Sequence, residues 1–370
     1  EAVFPKHGYM RFRAFRGSID VNVEYDRLID RQLERRKAKT QVCTQRTEPD
    51  DYKIISGVFE GHTTGAPICI IIPNRDTRSS DYQVFNSVAR PGHADYTANC
   101  KYHGYQDYRG GGHFSGRITV ALVAAGALIQ SALEKKGIFV GTHIKKCAGV
   151  EDRTFDNYAN DIKKLHGSKF SVLDDNTADN IINAVSRIKE DNDSVGGILE
   201  TAVVGVPAGV GEPWFDSIES MLSHALFSIP AVKGVEFGKG FAAARMKGSE
   251  HNDAIIDKRG TTATNSAGGI VGGITNGNEI VVRAAIKPTA SIAREQNTYN
   301  FESGKVEPLI IKGRHDVCIA LRAAVVVEDG LIEGADALKA AFEGDLRDRK
   351  VGVLKHRVGG VEAVAVQHLL

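Results

Sequence analysis

The chain of 370 residues lacks a long apolar run, an excess of charge of either sign and any closely spaced cysteine pair. Each shortage excludes a class of protein. The longest apolar run, Val120–Ile129, is ten residues, about half of the roughly 20 that a bilayer-spanning helix needs, so neither a spanning helix nor a membrane partner is expected. The opening residues, EAVFPKHGYMRFRAFRG, mix basic and aromatic side chains and have no continuous apolar stretch with a small-residue cleavage site, so they do not read as a secretory signal. With 47 basic against 46 acidic residues, no global field favours nucleic acid, and any anionic ligand must be held by locally gathered arginines. Small-molecule partners are expected. Five scattered cysteines (Cys43, Cys69, Cys100, Cys147, Cys318) without a C-x-x-C pair fit free thiols in a reducing compartment. A structural metal is not expected, and the chain reads as intracellular, in the cytoplasm. No Gly/Ser-rich or Pro-rich linker divides it, so residues 1–370 read as one domain with 42% apolar residues to build its core.

Glycine, by contrast, is abundant at 39 residues and gathers in ladders. Gly57, Gly61 and Gly65 lead to Ile68, and Gly269, Gly273 and Gly277 lead to Ile280, with the same spacing and an offset of 212 residues. The strand after each ladder ends at a proline, Pro73 and Pro288. One reading is an internal duplication that builds two similar halves around one site. The other is two unrelated tight hairpins, for which glycine is the usual residue.

Apolar periodicity predicts helices at Val21–Arg36, Thr119–Lys135, Thr177–Lys189 and Ile218–Phe227. Strands are predicted at Tyr52–Phe59, Ile68–Ile72, Ile138–Cys147, Gly196–Val206, Val232–Phe241, Glu279–Ile286 and Pro308–Ile311. The alternation implies a mixed α and β class with helices covering sheets on both sides. The polar stretch Glu151–Asp175, without a clear period, reads as a surface excursion.

The segment Arg90-Pro-Gly-His-Ala-Asp-Tyr-Thr97 precedes Asp107-Tyr-Arg-Gly-Gly-Gly-His-Phe-Ser-Gly-Arg-Ile-Thr119 and an apolar helix. Three glycines before a helix start let backbone N–H groups approach an anion, and Arg109, Ser115 and Arg117 flank that point. This describes a phosphate or carboxylate cradle, against which stands the plainer reading of a glycine turn before a solvated basic helix start. Neither a Walker P-loop nor a Rossmann glycine fingerprint occurs. His93 lies in a loop beside an acidic residue, where an imidazole either exchanges protons or serves structure. Lys312-Gly-Arg-His-Asp repeats the grouping of Arg, His and Asp, and Lys287-Pro-Thr-Ala-Ser291 adds a cation, two hydroxyls and a rigid turn.

Taken in order, RPGHADYT, RGGGHFSGR, VPAGVGEPWFD, AVKGVEFGKGF, GGIVGGITNG, KPTASI and KGRHD resemble the chorismate synthase family from about Arg35 to Val327. The resemblance implies an α+β fold, a β-α-β-α sandwich with an internal pseudo-two-fold duplication, assembled as a homotetramer. It also implies a lyase that converts 5-enolpyruvylshikimate 3-phosphate to chorismate by 1,4-anti elimination of phosphate and a ring hydrogen. Such enzymes use reduced FMN, with NADPH as a candidate reductant.

By the same resemblance His93 stands beside the reduced flavin, Asp316 near the proton to be removed, and Ser115 at the second serine of the family's R-S-S-A-R segment. That segment reads His113-Phe-Ser-Gly-Arg117 here, and a branch of the family carries this variant. Flavin contacts transfer to His113, Phe114 and Ser115, to Pro230 and Ala231, to Gly272, to Lys287, Pro288, Thr289, Ala290 and Ser291, and to Arg314. Arg36 matches a pyridine-nucleotide arginine, whose second member has no counterpart near Thr40–Val42. The family's N-terminal G-E-S-H-G motif is represented only by Phe4-Pro-Lys-His-Gly8, which makes His7 the candidate acid for the departing phosphate. That departure leaves a second reading, a non-catalytic relative that binds FMN or a partner. A third, an arginine-rich phosphate-binding transferase, has the cradle but no kinase or P-loop signature.

Overall fold

The computed structural model describes residues 9–11, 25–37, 40–43, 48–60, 62–64, 66–73, 87–107, 113–311, 313, 315–343, 355–358 and 361–364. In chain order these form β1 (Tyr9–Arg11), α1 (Tyr25–Arg36), β2 (Lys53–Ser56), β3 (Val58–Phe59), β4 (His62–Thr63), β5 (Cys69–Ile71), α2 (Asp95–Tyr102) and α3 (Thr119–Lys135). Next come β6 (Phe139–Cys147), β7 (Val150–Glu151), α4 (Tyr158–Gly167), α5 (Asp175–Glu190), β8 (Gly197–Val204), α6 (Ile218–Ser228) and β9 (Val232–Phe237). The last are α7 (Gly248–His251), β10 (Ile270–Val271), β11 (Ile274–Thr275), β12 (Ile280–Ile286), β13 (Gln296–Asn300), β14 (Lys305–Leu309), α8 (Ala320–Glu343), β15 (Lys355–Val358) and β16 (Val361–Val364).

The antiparallel sheet β7-β6-β8-β12-β9 is the frame. Alternate residues of a strand point to opposite faces. On one face, a side chain at Gly141 would collide with Ile162 of α4; on the other, one at Gly197 would collide with Ala320 of α8. Helices α1, α3, α8 and α6 form a layer against that second face, and α4 and α5 cover the first. The small sheet β1-β5-β2 meets α3 from beyond the helix layer. The order sheet, helices, sheet, helices is the β-α-β-α sandwich that the resemblance implies.

Helix α3 is apolar nearly all round, and accordingly almost all of it is buried. With the turn before it, Gly116–Lys135 is long and apolar enough to cross a membrane, a length that counting uninterrupted apolar residues misses because Gln130 and Ser131 break the run. Most of it, 78%, is buried inside the fold, as befits the central helix of a layered core.

The predicted elements recur with adjusted ends: α3 as expected, α5 at Asp175–Glu190, α6 at Ile218–Ser228, and α1 from Tyr25, residues 21–24 being outside the described set. Two expectations need correction. The stretch 151–175 is no surface excursion, because it contains α4, whose Asp161, Ile162 and Leu165 are buried. Asp161 holds a core-facing position by pairing with Arg153 at 2.5 Å, so a polar letter sits where the periodicity needs an apolar one. The strand predicted to Phe241 stops at Phe237 and gives way to a 3-10 helix over Gly240–Arg245. Gly238, at φ +53°, turns the chain so close to the Ser266 carbonyl that no side chain fits.

The two glycine ladders fold alike. Val58 pairs with Thr63 and Phe59 with His62, and 212 residues on Ile270 pairs with Thr275 and Val271 with Ile274. Thr64 N–H donates to the Gly57 carbonyl, and Asn276 N–H to that of Gly269, both at 3.0 Å. Gly57 and Gly269 share φ +83° and press on the equivalent residues Ile68 and Ile280. Unrelated hairpins have no reason to share register, closing hydrogen bond and packing partner, so the internal duplication is the reading that the structure supports.

Candidate active site

A cavity of about 870 Å³ opens where loops from both halves meet the helix layer. Its residues come from the end of α1, the turn before α2, the start of α3, the α6–β9 connection, the loop after β12 and the first turns of α8. The two halves touch directly. Arg90 Nη1 donates to Ser291 Oγ at 3.3 Å, Lys287 Nζ donates to the Gly92 carbonyl, and a side chain at Gly92 would reach Ala290.

Three guanidiniums converge here. Arg36 ends α1, donates to Thr119 Oγ1 and the Gly116 carbonyl, and stands 3.9 Å from Asp50. Arg117 pairs with Asp50 and lies 3.8 Å from Glu48. Arg322, on the first turn of α8, donates to Asp316 at 3.0 Å and to the Arg36 carbonyl at 3.4 Å. Burial, with Arg322 and Arg117 alongside, pushes the Arg36 guanidinium down to about 9. Lys37, Arg90 and Lys287 line the same cavity, so its cations outnumber the carboxylates Glu48, Asp50 and Asp316, and an anion arriving there is favoured. Ser115 caps the 3-10 turn Gly116–Ile118 by accepting from the Arg117 N–H at 3.2 Å, which orients the turn that leads into α3.

At the opposite wall Asp95 binds Arg90 through Nε at 2.7 Å and Nη2 at 2.8 Å, and His93 Nδ1 lies 2.7 Å from Asp95 Oδ1. Burial alone would raise the Asp95 carboxyl, but hydrogen bonds from Arg90 and His93 outweigh it and hold the group well below the usual carboxylate range. Two features between these walls suit a bound group. Thr289 Oγ1 is buried and has no hydrogen-bond partner among the described residues. Ala231 holds a φ of +77°, costly for a residue with a Cβ and frequent where backbone is shaped around a ligand. Phe227, Ile229, Val232 and Val326 supply an apolar wall.

The cavity thus gathers His93, His113, Phe114, Ser115, Pro230, Ala231, Lys287, Thr289, Ala290, Ser291, Asp316 and Arg36 from the residues singled out in the sequence. Pro288 sits between two lining residues without lining the cavity itself. Gly272 lies elsewhere, in the β10–β11 turn at φ +65°. His7 and Arg314 lie outside the described residues, as do Arg109 and its three glycines.

Sequence reading gave no role to Arg90, Asp95, Asp50, Glu48 or Arg322. Arg90 and Asp95 stand within the motif around His93, and Arg322 is the one cation in the apolar run Ile319–Val327. Those were usable signals. Nothing in Glu48-Pro-Asp50 points to a site, since its acids matter only because Arg117 folds onto them.

The chorismate synthase family model matches residues 18–332. The chain is 53% identical over 296 residues to the chorismate synthase of Chitinophaga pinensis, covering 80% of each chain. It is 46% identical over 306 residues to that of Korarchaeum cryptofilum, covering 80% of this chain and 82% of the relative. With that of Thermococcus kodakarensis it shares 44% over 334 residues, 89% of this chain and 92% of the other. A crystal structure of chorismate synthase matches with a TM-score of 0.67 at 26% identity, covering 91% of this chain and 92% of that one. Similarity across most of the length, in sequence and in fold, has one conclusion: the chain belongs to the chorismate synthase family.

Proposed function

We propose that this chain is a carbon–oxygen lyase that makes chorismate from 5-enolpyruvylshikimate 3-phosphate by 1,4-anti elimination of phosphate, with reduced FMN in the same cavity. The observation that carries this reading is the convergence of Arg36, Arg117 and Arg322 in a cavity that also holds His93 and Asp316. Substrate and flavin together bring two phosphates and two carboxylates, and a chain of net charge +1 meets them only by focusing its arginines.

The residues present fit a flavin. The volume lies toward the upper end of the roughly 300–1,000 Å³ of ligand pockets, the orphan Thr289 hydroxyl offers a donor, and Lys287 and Ser291 line the same cavity. The apolar wall from Phe227 to Val232 suits a planar ring system. When bound, the reduced flavin supplies the electron density that lets phosphate leave from a carbon framework with no carbonyl to activate it.

The chain's own residues do the rest. The guanidiniums hold the anionic groups of the substrate and orient the leaving phosphate. His93 presents a ring nitrogen to the cavity, and Asp316, its direction set by Arg322 Nη1, is the acceptor for the ring proton. Ser115 fixes the turn that aims Arg117. His7 is the proposed donor to the departing phosphate. Arg36, which the resemblance ties to a pyridine nucleotide, opens into this same cavity, so NADPH engaging it would share the chamber with substrate and flavin.

We assign the chain to the cytoplasm as a homotetramer working as one domain over residues 1–370. The strongly exposed Trp214, Phe215 and Phe241 support the assembly, since aromatic surface of this kind is what subunit contacts cover. The non-catalytic alternative finds no support, because the relatives named above carry the enzyme's name and the cavity retains His93, Ser115 and Asp316.

Anaerobic turnover with prereduced FMN tests the proposal. Chorismate should form with release of one phosphate, and His93→Ala should slow it by roughly 10²–10⁴, as when a positioned acid or base is deleted. No chorismate from the folded wild-type chain would overturn it.

A further inference from the structure

Asp95 has no role in the mechanism above, yet its carboxylate is held from several sides by Arg90 and His93, which line the cavity. Oδ2 accepts from the Arg90 backbone N–H at 3.0 Å and from Arg90 Nε at 2.7 Å. Oδ1 accepts from Arg90 Nη2 at 2.8 Å and faces His93 Nδ1 at 2.7 Å. Asp95 is the first residue of α2, so the helix fixes its backbone. Arg90 is in turn tied to Ser291 across the cavity.

Arg90 Nη2 also lies 3.0 Å from His93 Nδ1. A guanidinium only donates and a carboxylate only accepts, so Nδ1 serves one of the two, and the shorter contact is with Asp95. We propose, resting on the reading of this cavity as a chorismate synthase site, that Asp95 is a positioning residue that keeps the His93 ring proton on Nδ1 and leaves Nε2 to face the bound ligands.

Charge balance shows why position, more than charge, is at stake. Arg90 already neutralises the carboxylate in a bidentate pair, so the imidazole meets a fixed acceptor rather than an uncompensated negative charge. Nε2 has no hydrogen-bond partner among the described residues. A neutral ring then accepts a proton at Nε2 and returns it from Nε2, always on the cavity side.

Replacing the carboxylate by its amide inverts this. In Asp95→Asn the carbonyl oxygen belongs at the Oδ2 place, where two Arg90 donors converge, which puts the NH₂ group beside His93 Nδ1. That nitrogen must then accept, and the ring proton moves to Nε2. Nitrogen-15 NMR of imidazole-labelled protein, at a pH where the ring is neutral, should show His93 protonated on Nδ1 in the wild type and on Nε2 in Asp95→Asn. Turnover with prereduced FMN should show kcat lowered by roughly 10²-fold or more, as for a misplaced catalytic proton, with the substrate KM changed no more than severalfold.

A wild-type proton on Nε2, or an Asp95→Asn variant with wild-type kcat, would overturn the proposal. Should the variant not fold, the wild-type spectrum alone decides. A wild-type chain that makes no chorismate, yet holds its His93 proton on Nδ1, supports the positioning role and sinks the proposed function instead.

Discussion

Arg35 on α1 reaches across the helix layer to the fully buried Glu328 on α8 with its Nη1 2.6 Å from Oε1, while the next residue, Arg36, turns into the cavity. Successive helix residues point about 100° apart, which is how two adjacent arginines acquire opposite tasks. Burial disfavours the charge of Arg35, but Glu328 outweighs it and raises the group above its ordinary value. Arg36, buried and with Arg322 and Arg117 beside it, is pushed the other way.

The two should respond differently to truncation. Arg35→Ala takes from the buried Glu328 its closest cation, leaving His166 at 3.7 Å, and should cost roughly 3–5 kcal/mol of stability. Arg36→Leu should cost the protein distinctly less, yet weaken substrate binding at least about tenfold, or about 1.4 kcal/mol. Urea unfolding and calorimetric titration separate the two effects, and equal losses of stability would refute the contrast.

A second buried network lies on the face of the main sheet covered by α4. His143, Glu200, Arg283 and Glu236 form a row across β6, β8, β12 and β9, and Asp152 closes it at His143 Nδ1 at 2.8 Å. With a carboxylate at each ring nitrogen, both contacts are hydrogen bonds only in the imidazolium form. Burial works to raise Asp152 and Glu200, but the His143 hydrogen bonds, helped at Glu200 by Arg283, hold both below the ordinary range. A depressed carboxyl stabilises the fold above its unfolded value, about 4, and that contribution is lost as pH falls through the folded one. His143→Ala should therefore be less stable than wild type near neutrality by roughly 3–5 kcal/mol. The gap should narrow as pH drops below about 4. Urea midpoints between neutral and acid pH check the sign, and a gap that widens on acidification would count against the network.

The repeated hairpins carry a prediction of their own. An alanine methyl at Gly57 would sit 2.7 Å from Ile68 Cα, and one at Gly269 would sit 2.5 Å from the Glu279 carbonyl oxygen, both on backbone at φ +83°. Each Gly→Ala change should cost about 1–3 kcal/mol. Gly167→Ala, at the end of α4 with nothing near its missing side chain, should stay within about 0.5 kcal/mol of wild type. Thermal unfolding of the three variants decides this; a tolerated Gly269→Ala would show that the hairpin yields.

Seven collinear motifs identify the family, and a spacing of glycines and isoleucines that survives as register and packing marks the duplication. The long helices and central strands are legible too, because apolar periodicity is a local property that each element carries in its own residues. Which polar residues work together depends on how the chain packs. Asp161 looks like a break in an amphipathic pattern until Arg153 folds onto it, and α4 was hidden for that reason. Composition and periodicity do not separate Arg35 from Arg36, and their tasks depend on Glu328 and Arg322, nearly 300 residues away. Asp95 stands two residues from His93 in plain view, but the role proposed for it rests on a 2.7 Å contact with the ring nitrogen and on Arg90 holding both carboxylate oxygens. Charge, protonation and hydrogen bonding depend on distances of a few ångströms between side chains, and those distances are set by packing rather than by order along the chain.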